Sequence, residues 1–387
     1  EIKRRIKKEP TVQCKNVKHL LQQLGSLDEN TLIIGFARRF VTYKRSSLVF
    51  SDLEKLHSII KNNKFPILFL FAGKAHPNDQ AGQEMIRHII DISNQKHFNG
   101  HVLFLQNYDM ELAKYFLQGV DVWLNTPEME KEASGTSGMK AALNGALNLS
   151  VPDGWWAEAY NQNIGWTLAD SKQKTNREVQ NEVDSETLYQ ILEHEVIPLY
   201  SERNKENIPV KWVEKMKNSM SHITSQFTAH RMLTEYMEKY YKKLQARNKL
   251  ICDNHFKAAK KIAGWKQNMM RSWNNVKVVS MDVYDSANKA FPIGSELTPR
   301  IVLDPCGLSA RDIGVEVVFI SKRKDENEFN KIIFKNELSP TETKNEQIIY
   351  ECKIPITQSG VYEYGFRIFP KNPLLPHRQD FALLKWI

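Results

Sequence analysis

The sequence predicts an α/β fold, a doubly wound parallel sheet, followed by a helical segment and a small all-β, sandwich-like module. Three observations predict it. From residue 31, short apolar runs alternate with amphipathic stretches at helical spacing. Residues 185 to about 272 keep the helical spacing alone. After Trp273, β-branched and alternating runs are separated by turn residues.

Taken in order, the apolar runs are residues 32–36, 67–72, 102–105, 120–124 and 147–151. Between them Leu53, Leu56, Ile59 and Ile60 recur at helical spacing, as do Met85, Ile86, Ile89 and Ile90. Strand and helix in alternation read as a parallel sheet whose ligands bind beyond the carboxyl ends of its strands. In the helical stretch Leu188, Leu192, Val196 and Leu199 share one face. The later stripe of Met232, Tyr236, Met237 and Tyr240 is expected to pack in a core or between domains. The β module is expected from residues 276–279, 300–303, 314–320, 347–354 and 360–368, with residues 322–328 as a hairpin loop. The expected domains are a helical segment at a domain junction (1–30), the α/β domain (31–184), the helical segment (185–274) and the β module (275–387).

Composition narrows the function. A chain of 387 residues, 41% hydrophobic and 26% charged, is globular and large enough for two or three domains. No apolar stretch approaches the length of a membrane span, and the mostly charged first ten residues argue against a signal peptide. Cys14, Cys252, Cys306 and Cys352 are dispersed without a CxxC pair, so neither a metal knuckle nor a disulfide scaffold is expected, and a cytoplasmic setting is. The net charge of +9 suggests anionic partners. Nucleic acid is not expected, because the cations are spread along helices without interleaved aromatics. The chain opens on Glu1 within a basic, helical-looking stretch, so it is expected to be a piece of a longer polypeptide. Lys3, Arg4, Arg5, Lys7 and Lys8 then read as a solvated helix face.

Four segments after predicted strands carry candidate chemistry. Residues 132–140, Glu-Ala-Ser-Gly-Thr-Ser-Gly-Met-Lys, form a glycine- and hydroxyl-rich turn at a helix start, where free N–H groups and the helix dipole make an anion site. Lys140 follows one turn later, where an amine can form a Schiff base with an aldehyde cofactor whose phosphate is held nearby. Residues 35–45 place Arg38, Arg39, Lys44 and Arg45 after the first strand, a set suited to gripping phosphate, or else a solvated helix N-terminus. His76 in Gly73-Lys-Ala-His-Pro77 reads as structural rather than as a base. Residues 152–158, with Trp155 and Trp156 beside Asp153 and Glu158, suit a sugar face or ordinary packing equally.

These segments together resemble the α-glucan phosphorylases, most closely the short bacterial and archaeal type. The resemblance lies in EASGTSGMKAALNGALNLSVPDGWWAEAY, preceded in order by GFARRFVTYKR, AGKAHP and the pair Asn107-Tyr108. It is strong over about residues 31–170 and looser beyond. It implies the C-terminal, Rossmann-like half of a GT-B glycosyltransferase fold and phosphorolysis of the non-reducing ends of α-glucans to glucose 1-phosphate. Lys140 would then hold pyridoxal 5′-phosphate, with Thr136, Ser137 and Arg38 on its phosphate and Tyr108 lining its ring. Arg39 and Lys44 would clamp the substrate phosphate, and Glu132, Ser134 and Gly135 would bind hydroxyls of the transferred glucosyl unit. The cofactor's phosphate would exchange protons with the substrate phosphate, with retention at the sugar carbon.

Two departures stand out. Ser137-Gly138 replaces the Gly-Asn of the animal and plant enzymes, and Asp109 stands where those carry a basic residue; both suit the short type. The family's N-terminal catalytic domain, which supplies part of the glucose pocket and the glucan groove, is not in this sequence. The resemblance therefore implies an incomplete catalytic centre in the chain alone, and it leaves a homo-oligomer open. Two other readings compete: a sugar-nucleotide glycosyltransferase of the glycogen or starch synthase kind, which needs no Schiff-base lysine, and a non-catalytic glucan-binding remnant.

Overall fold

The computed structural model describes Arg4, Gly25 and residues 27–168, 176–283, 292–321 and 332–387. Most of the segment expected at 1–30, and the hairpin loop expected at 322–328, lie outside the described residues. The chain divides into two compact units between Thr234 and Glu235.

The first unit begins with strand β1 (Leu32–Arg39), helix α1 (Leu53–Lys61), β2 (Ile67–Lys74), α2 (Gln80–Ser93), β3 (Val102–Leu105), α3 (Met110–Gly119) and β4 (Val122–Asn125). It continues through α4 (Thr136–Leu143), β5 (Leu147–Ser150), the short α5 (Trp155–Ala159) and β6 (Gly165–Thr167). Three of the helices start where a side chain accepts a first-turn N–H: Asp52 for α1, Asp79 for α2 and Asp109 for α3. The strands form one parallel sheet in the order β3-β2-β1-β4-β5-β6. The order reverses between β1 and β4, so these two carboxyl ends bound the ligand crevice of such a sheet.

Alternation along the strands builds two cores. Leu32, Ile34, Phe36, Ile67, Phe69 and Phe71 face one way, into a cluster with Leu56 and Ile60 of α1 and Ile89 and Ile92 of α2. Ala37, Leu68, Leu70, Ala72 and Trp123 face the other way, against Leu112 and Phe116 of α3 and Ala141 of α4. Helices α6 (Arg177–Ile191), α7 (Ile197–Ser201) and α8 (Val210–Gln226) follow, with a π-helical turn at Leu192–Val196. Helix α6 runs across position 184/185, and Leu188, Leu192, Val196 and Trp212 complete the first core.

Asp121 precedes β4 at the opposite, amino-terminal edge of the sheet and accepts the Ile33 N–H at 2.8 Å. Burial pushes its carboxyl up to about 6, although the Ile33 N–H and Arg203 favour the charged form. The raised value means stability is lost as pH climbs from the unfolded value through about 6. Asp121→Asn, whose amide oxygen can still accept from Ile33, should therefore stabilise the chain by about 1–2 kcal/mol at about pH 8 and hardly at all near pH 4. Urea unfolding at both pH values checks this; an equal effect at the two would rule the burial account out.

Helix α9 (Ala229–Tyr236), a π-helical turn at Met237–Tyr241 and the long α10 (Lys242–Ser272) come next. Asp253, Asn254, His255 and Phe256 leave helical φ/ψ and break α10. Met232, Tyr236, Met237 and Tyr240 are exposed, so among the described residues this stripe lies outside the cores in which it was expected to pack.

In the second unit, strands β7 (Lys277–Asp282), β8 (Glu296–Leu297), β9 (Arg300–Asp304), β10 (Ile313–Ser321), β11 (Ile332–Lys344), β12 (Gln347–Glu351), β13 (Ile354–Pro355), β14 (Tyr362–Pro370) and β15 (Lys385–Trp386) are antiparallel. Seven form a sheet in the order β15-β14-β10-β11-β12-β9-β7, and β13 pairs with β8. Strand β11 pairs with β10 through Leu338 and with β12 from Ser339 onward. It changes partner beside Pro340, which has no N–H to donate. Met269 and Trp273 join Ile301, Val315, Val317, Phe366 and Ile368 in the core of this unit.

Candidate active site

The crevice is lined from the ends of β1 and β4. Arg38 is the penultimate residue of β1; its guanidinium donates to the Asn125 side-chain carbonyl at the end of β4 and to Glu132 Oε1 at 2.6 Å. Asn125 in turn donates to Ser150 Oγ at the end of β5, at 3.0 Å. Beyond β1 the chain makes a 3-10 turn, Thr42–Lys44, that brings Lys44 Nζ to 3.0 Å from Glu132 Oε2. Arg38, Lys44 and Glu132 are all buried. Burial pushes the Glu132 carboxyl up, but Arg38 and Lys44 outweigh it and hold the group below the ordinary carboxylate range. Two buried cations share one carboxylate, so the cluster keeps an excess of positive charge.

A second set of bonds fixes the loop between Glu132 and α4. Asp153 accepts the Glu132 N–H through Oδ2 at 2.8 Å and the Gly154 N–H through Oδ1 at 2.9 Å, and the Trp155 N–H donates to the Ser134 carbonyl at 3.2 Å. Gly154 sits at φ 55°, and a Cβ there would come within 2.2 Å of the Ser134 carbonyl oxygen, so only glycine lets the two segments meet. Trp155 and Trp156 are buried, in a cluster with Ala142, Ile164 and Ile223. Of the two readings open for these tryptophans, packing beneath the loop is the one they adopt.

Helix α4 starts at Gly135, φ +100°, and no side chain caps it. Among the described residues, its first-turn N–H groups and the Thr136 and Ser137 hydroxyls meet no side-chain partner. Gly138 is in close contact with β5: Asn148 Nδ2 donates to its carbonyl at 3.1 Å, and a Cβ would fall 2.6 Å from Asn148 Oδ1. Lys140 is exposed in the last turn, and its amine meets no side chain among the described residues.

The structure thus joins Arg38, Lys44 and Glu132 directly and ties Ser134, Gly135, Thr136, Ser137 and Lys140 to them through one loop and one helix. Arg39 closes β1 as an exposed guanidinium outside that bonded cluster. Tyr108 follows β3 and packs against the α3 side of the sheet, where burial pushes its phenol up. Arg45 departs from the expectation that its cation faces a ligand. It pairs with buried Asp184 at 2.6 Å and donates to the carbonyls of Thr126 and Pro127, which locks the turn that carries Lys44. His76 accepts the Asn78 N–H at 3.1 Å, a turn contact. Sequence reasoning missed Asn125 and the anchoring role of Asp153. The Asp-Gly pair after a strand was the available signal for the second.

A parallel sheet with a buried, carboxylate-centred cluster of cations at its switch point, followed along the chain by a lysine-bearing helix, belongs to the doubly wound class of α/β domains. The chain belongs to the carbohydrate phosphorylase family: the profile described as Carbohydrate phosphorylase matches residues 2–258, and that described as Glycogen phosphorylase C-terminal domain matches residues 273–387. It is 37% identical over 368 residues to a maltodextrin phosphorylase of Thermococcus litoralis, covering 94% of this chain and 42% of that protein. It is 46% identical over 218 residues to a glycogen phosphorylase of Aquifex aeolicus, covering 56% and 31%. A glycogen phosphorylase of Mycobacterium bovis is 31% identical over 360 residues, 93% and 41%. The chain therefore spans about two fifths of the length of relatives it matches nearly end to end.

Proposed function

We propose that this chain is the C-terminal part of an α-1,4-glucan phosphorylase, which uses inorganic phosphate to release glucose 1-phosphate from the non-reducing ends of α-glucans. The observation that carries the reading is the buried Arg38–Glu132–Lys44 cluster at the switch point, with the exposed amine of Lys140, which meets no side chain among the described residues, on the helix that follows it. The residues fit pyridoxal 5′-phosphate: an exposed lysine amine, and an uncapped helix start with two hydroxyls that follows Glu132, the partner of Arg38. Lys140 would hold it covalently, and Thr136, Ser137 and Arg38 would bind its phosphate, with Tyr108 along its ring. When bound, the cofactor supplies a phosphate with a second pKa of about 6, able to exchange protons near neutral pH.

The chain's own residues would do the rest. Arg39, whose guanidinium is free among the described residues, and Lys44 would draw in and orient the substrate phosphate. Glu132, kept ionised by its two cations, would accept hydrogen bonds from hydroxyls of the glucosyl unit. The Ser134 and Gly135 backbone would be presented to the same unit by the Asp153–Gly154 clasp. An N-terminal α/β domain outside this sequence would complete the glucan site, in keeping with the greater length of the relatives. A cytoplasmic setting is supported by Cys252, Cys306 and Cys352, which are free thiols.

Expression with the upstream part of the polypeptide, addition of pyridoxal phosphate, borohydride reduction and peptide mapping test this. A single pyridoxyl adduct on Lys140 is the expected result. No adduct, or adducts scattered over surface lysines, would overturn the reading and favour a sugar-nucleotide transferase.

A further inference from the structure

One row of side chains crosses four neighbouring strands of the terminal sheet. Glu337 of β11 lies opposite Glu316 of β10, Glu316 opposite Arg367 of β14, and Arg367 opposite Trp386 of β15. Their neighbours along the strands, Val315, Val317, Leu338, Phe366 and Ile368, all turn into the core. Alternation therefore puts the row on the other face of the sheet. Four strands at about 4.8 Å spacing make it roughly 14 Å long, enough for several linked sugar rings.

The row is a built arrangement rather than a scatter of surface residues. Glu316 is 4% exposed, lies against the Arg367 guanidinium and accepts from Arg378 Nη1 at 2.8 Å. Lys371 Nζ meets Glu337 at 2.5 Å. At the end of the row, Trp386 lies over Gly365, where an added Cβ would come within 3.3 Å of the indole. The Arg367 guanidinium sits 5.4 Å from the centre of that ring. Trp386 is nevertheless 56% exposed, so a large part of the indole remains open.

The chemistry selects a ligand class. The three cations Arg367, Arg378 and Lys371 share two carboxylates, Glu316 and Glu337, so the row keeps the same single surplus charge as the crevice, and the open indole beside it, not charge, selects the ligand. An open indole offers an apolar plane with a negative π face, which suits the C–H face of a pyranose ring. The hydroxyl rim of the same sugar can bond to guanidinium, ammonium and carboxylate groups along the row. We propose that this row, with Trp386 as its stacking platform, Arg367, Arg378, Lys371 and Glu337 as its polar edge and buried Glu316 holding the two arginines in place beneath it, is a second, non-catalytic binding site for an α-glucan chain. The choice of an α-glucan rests on the proposed function; the site itself rests on the row. Such a site tethers the polymer that the crevice shortens, raising the local concentration of chain ends.

Native electrophoresis of the 387-residue chain through gels containing soluble starch, with dextran as the control polymer, tests the site. The chain should be retarded by starch and not by dextran. Trp386→Ala should raise the apparent Kd for starch about tenfold, and Trp386→Phe should fall between the two. Thermal melting of each variant monitors folding, and the Phe variant carries the comparison if the Ala variant does not fold. Absence of starch retardation in the unsubstituted chain, or equal retardation of chain and variants, overturns the proposal. Phosphorolysis of a short maltooligosaccharide by the complete polypeptide reports on the crevice independently. Trp386-dependent retention without any phosphorolysis would leave this site standing and sink the catalytic reading.

Discussion

Replacing Lys140 by alanine in the complete polypeptide should lower phosphorolysis by at least about three orders of magnitude while changing unfolding free energy by no more than about 0.5 kcal/mol. The two halves of this expectation come from the same observation. Lys140 is exposed on α4, its amine has no side-chain partner among the described residues, and alanine is the better helix former, so the fold loses nothing when the side chain goes. The proposed cofactor, however, would lose its covalent attachment. Steady-state kinetics and denaturant unfolding on the same preparation decide the matter. Substantial residual phosphorolysis, with no pyridoxal phosphate bound, would remove Lys140 from the mechanism.

Glu132→Gln should behave in the opposite manner, costing activity and stability together. The carboxylate is buried between Arg38 at 2.6 Å and Lys44 at 3.0 Å, so neutralising it leaves two buried cations facing each other. Breaking a buried ionic cluster from one side costs about 3–5 kcal/mol, because the remaining charge is desolvated and uncompensated. The sign with pH follows from the direction of the shift. The folded Glu132 carboxyl titrates below its ordinary value, so its stabilisation is present above the unfolded pKa and is lost as pH falls through the folded one. The stability gap between the unsubstituted protein and the Glu132→Gln variant should therefore be widest near neutrality and shrink in acid. Equilibrium unfolding across that range is the check; a gap that does not narrow in acid would mean that Glu132 is held by something other than Arg38 and Lys44.

Much of the architecture was legible because strand and helix periods are local properties. The five expected apolar runs of the α/β region became β1 to β5, displaced by at most a few residues at their ends. Strand β6 was missed because Gly165–Thr167 spans only three residues, too few to show alternation. Strand β11 was missed because its thirteen residues are mostly exposed and polar, so no apolar pattern marks them. The stripe around Tyr236 and Tyr240 showed the converse: its helical period was legible, but whether anything covers it was not.

The amino-acid sequence by itself determined which chemistries follow which strands: the cations after β1, and the glycine-rich turn and Lys140 after β4. Covalent order and alternation are enough for that, since in a parallel sheet every strand end points to the same edge. Only the tertiary structure decided what each charge does. Arg38 finds Asn125 across 87 residues, Glu132 is anchored by Asp153 across 21, and Arg45 is taken out of the crevice by Asp184. Ion pairs and buried hydrogen bonds depend on distances of a few ångströms between remote segments, and no local period encodes those distances.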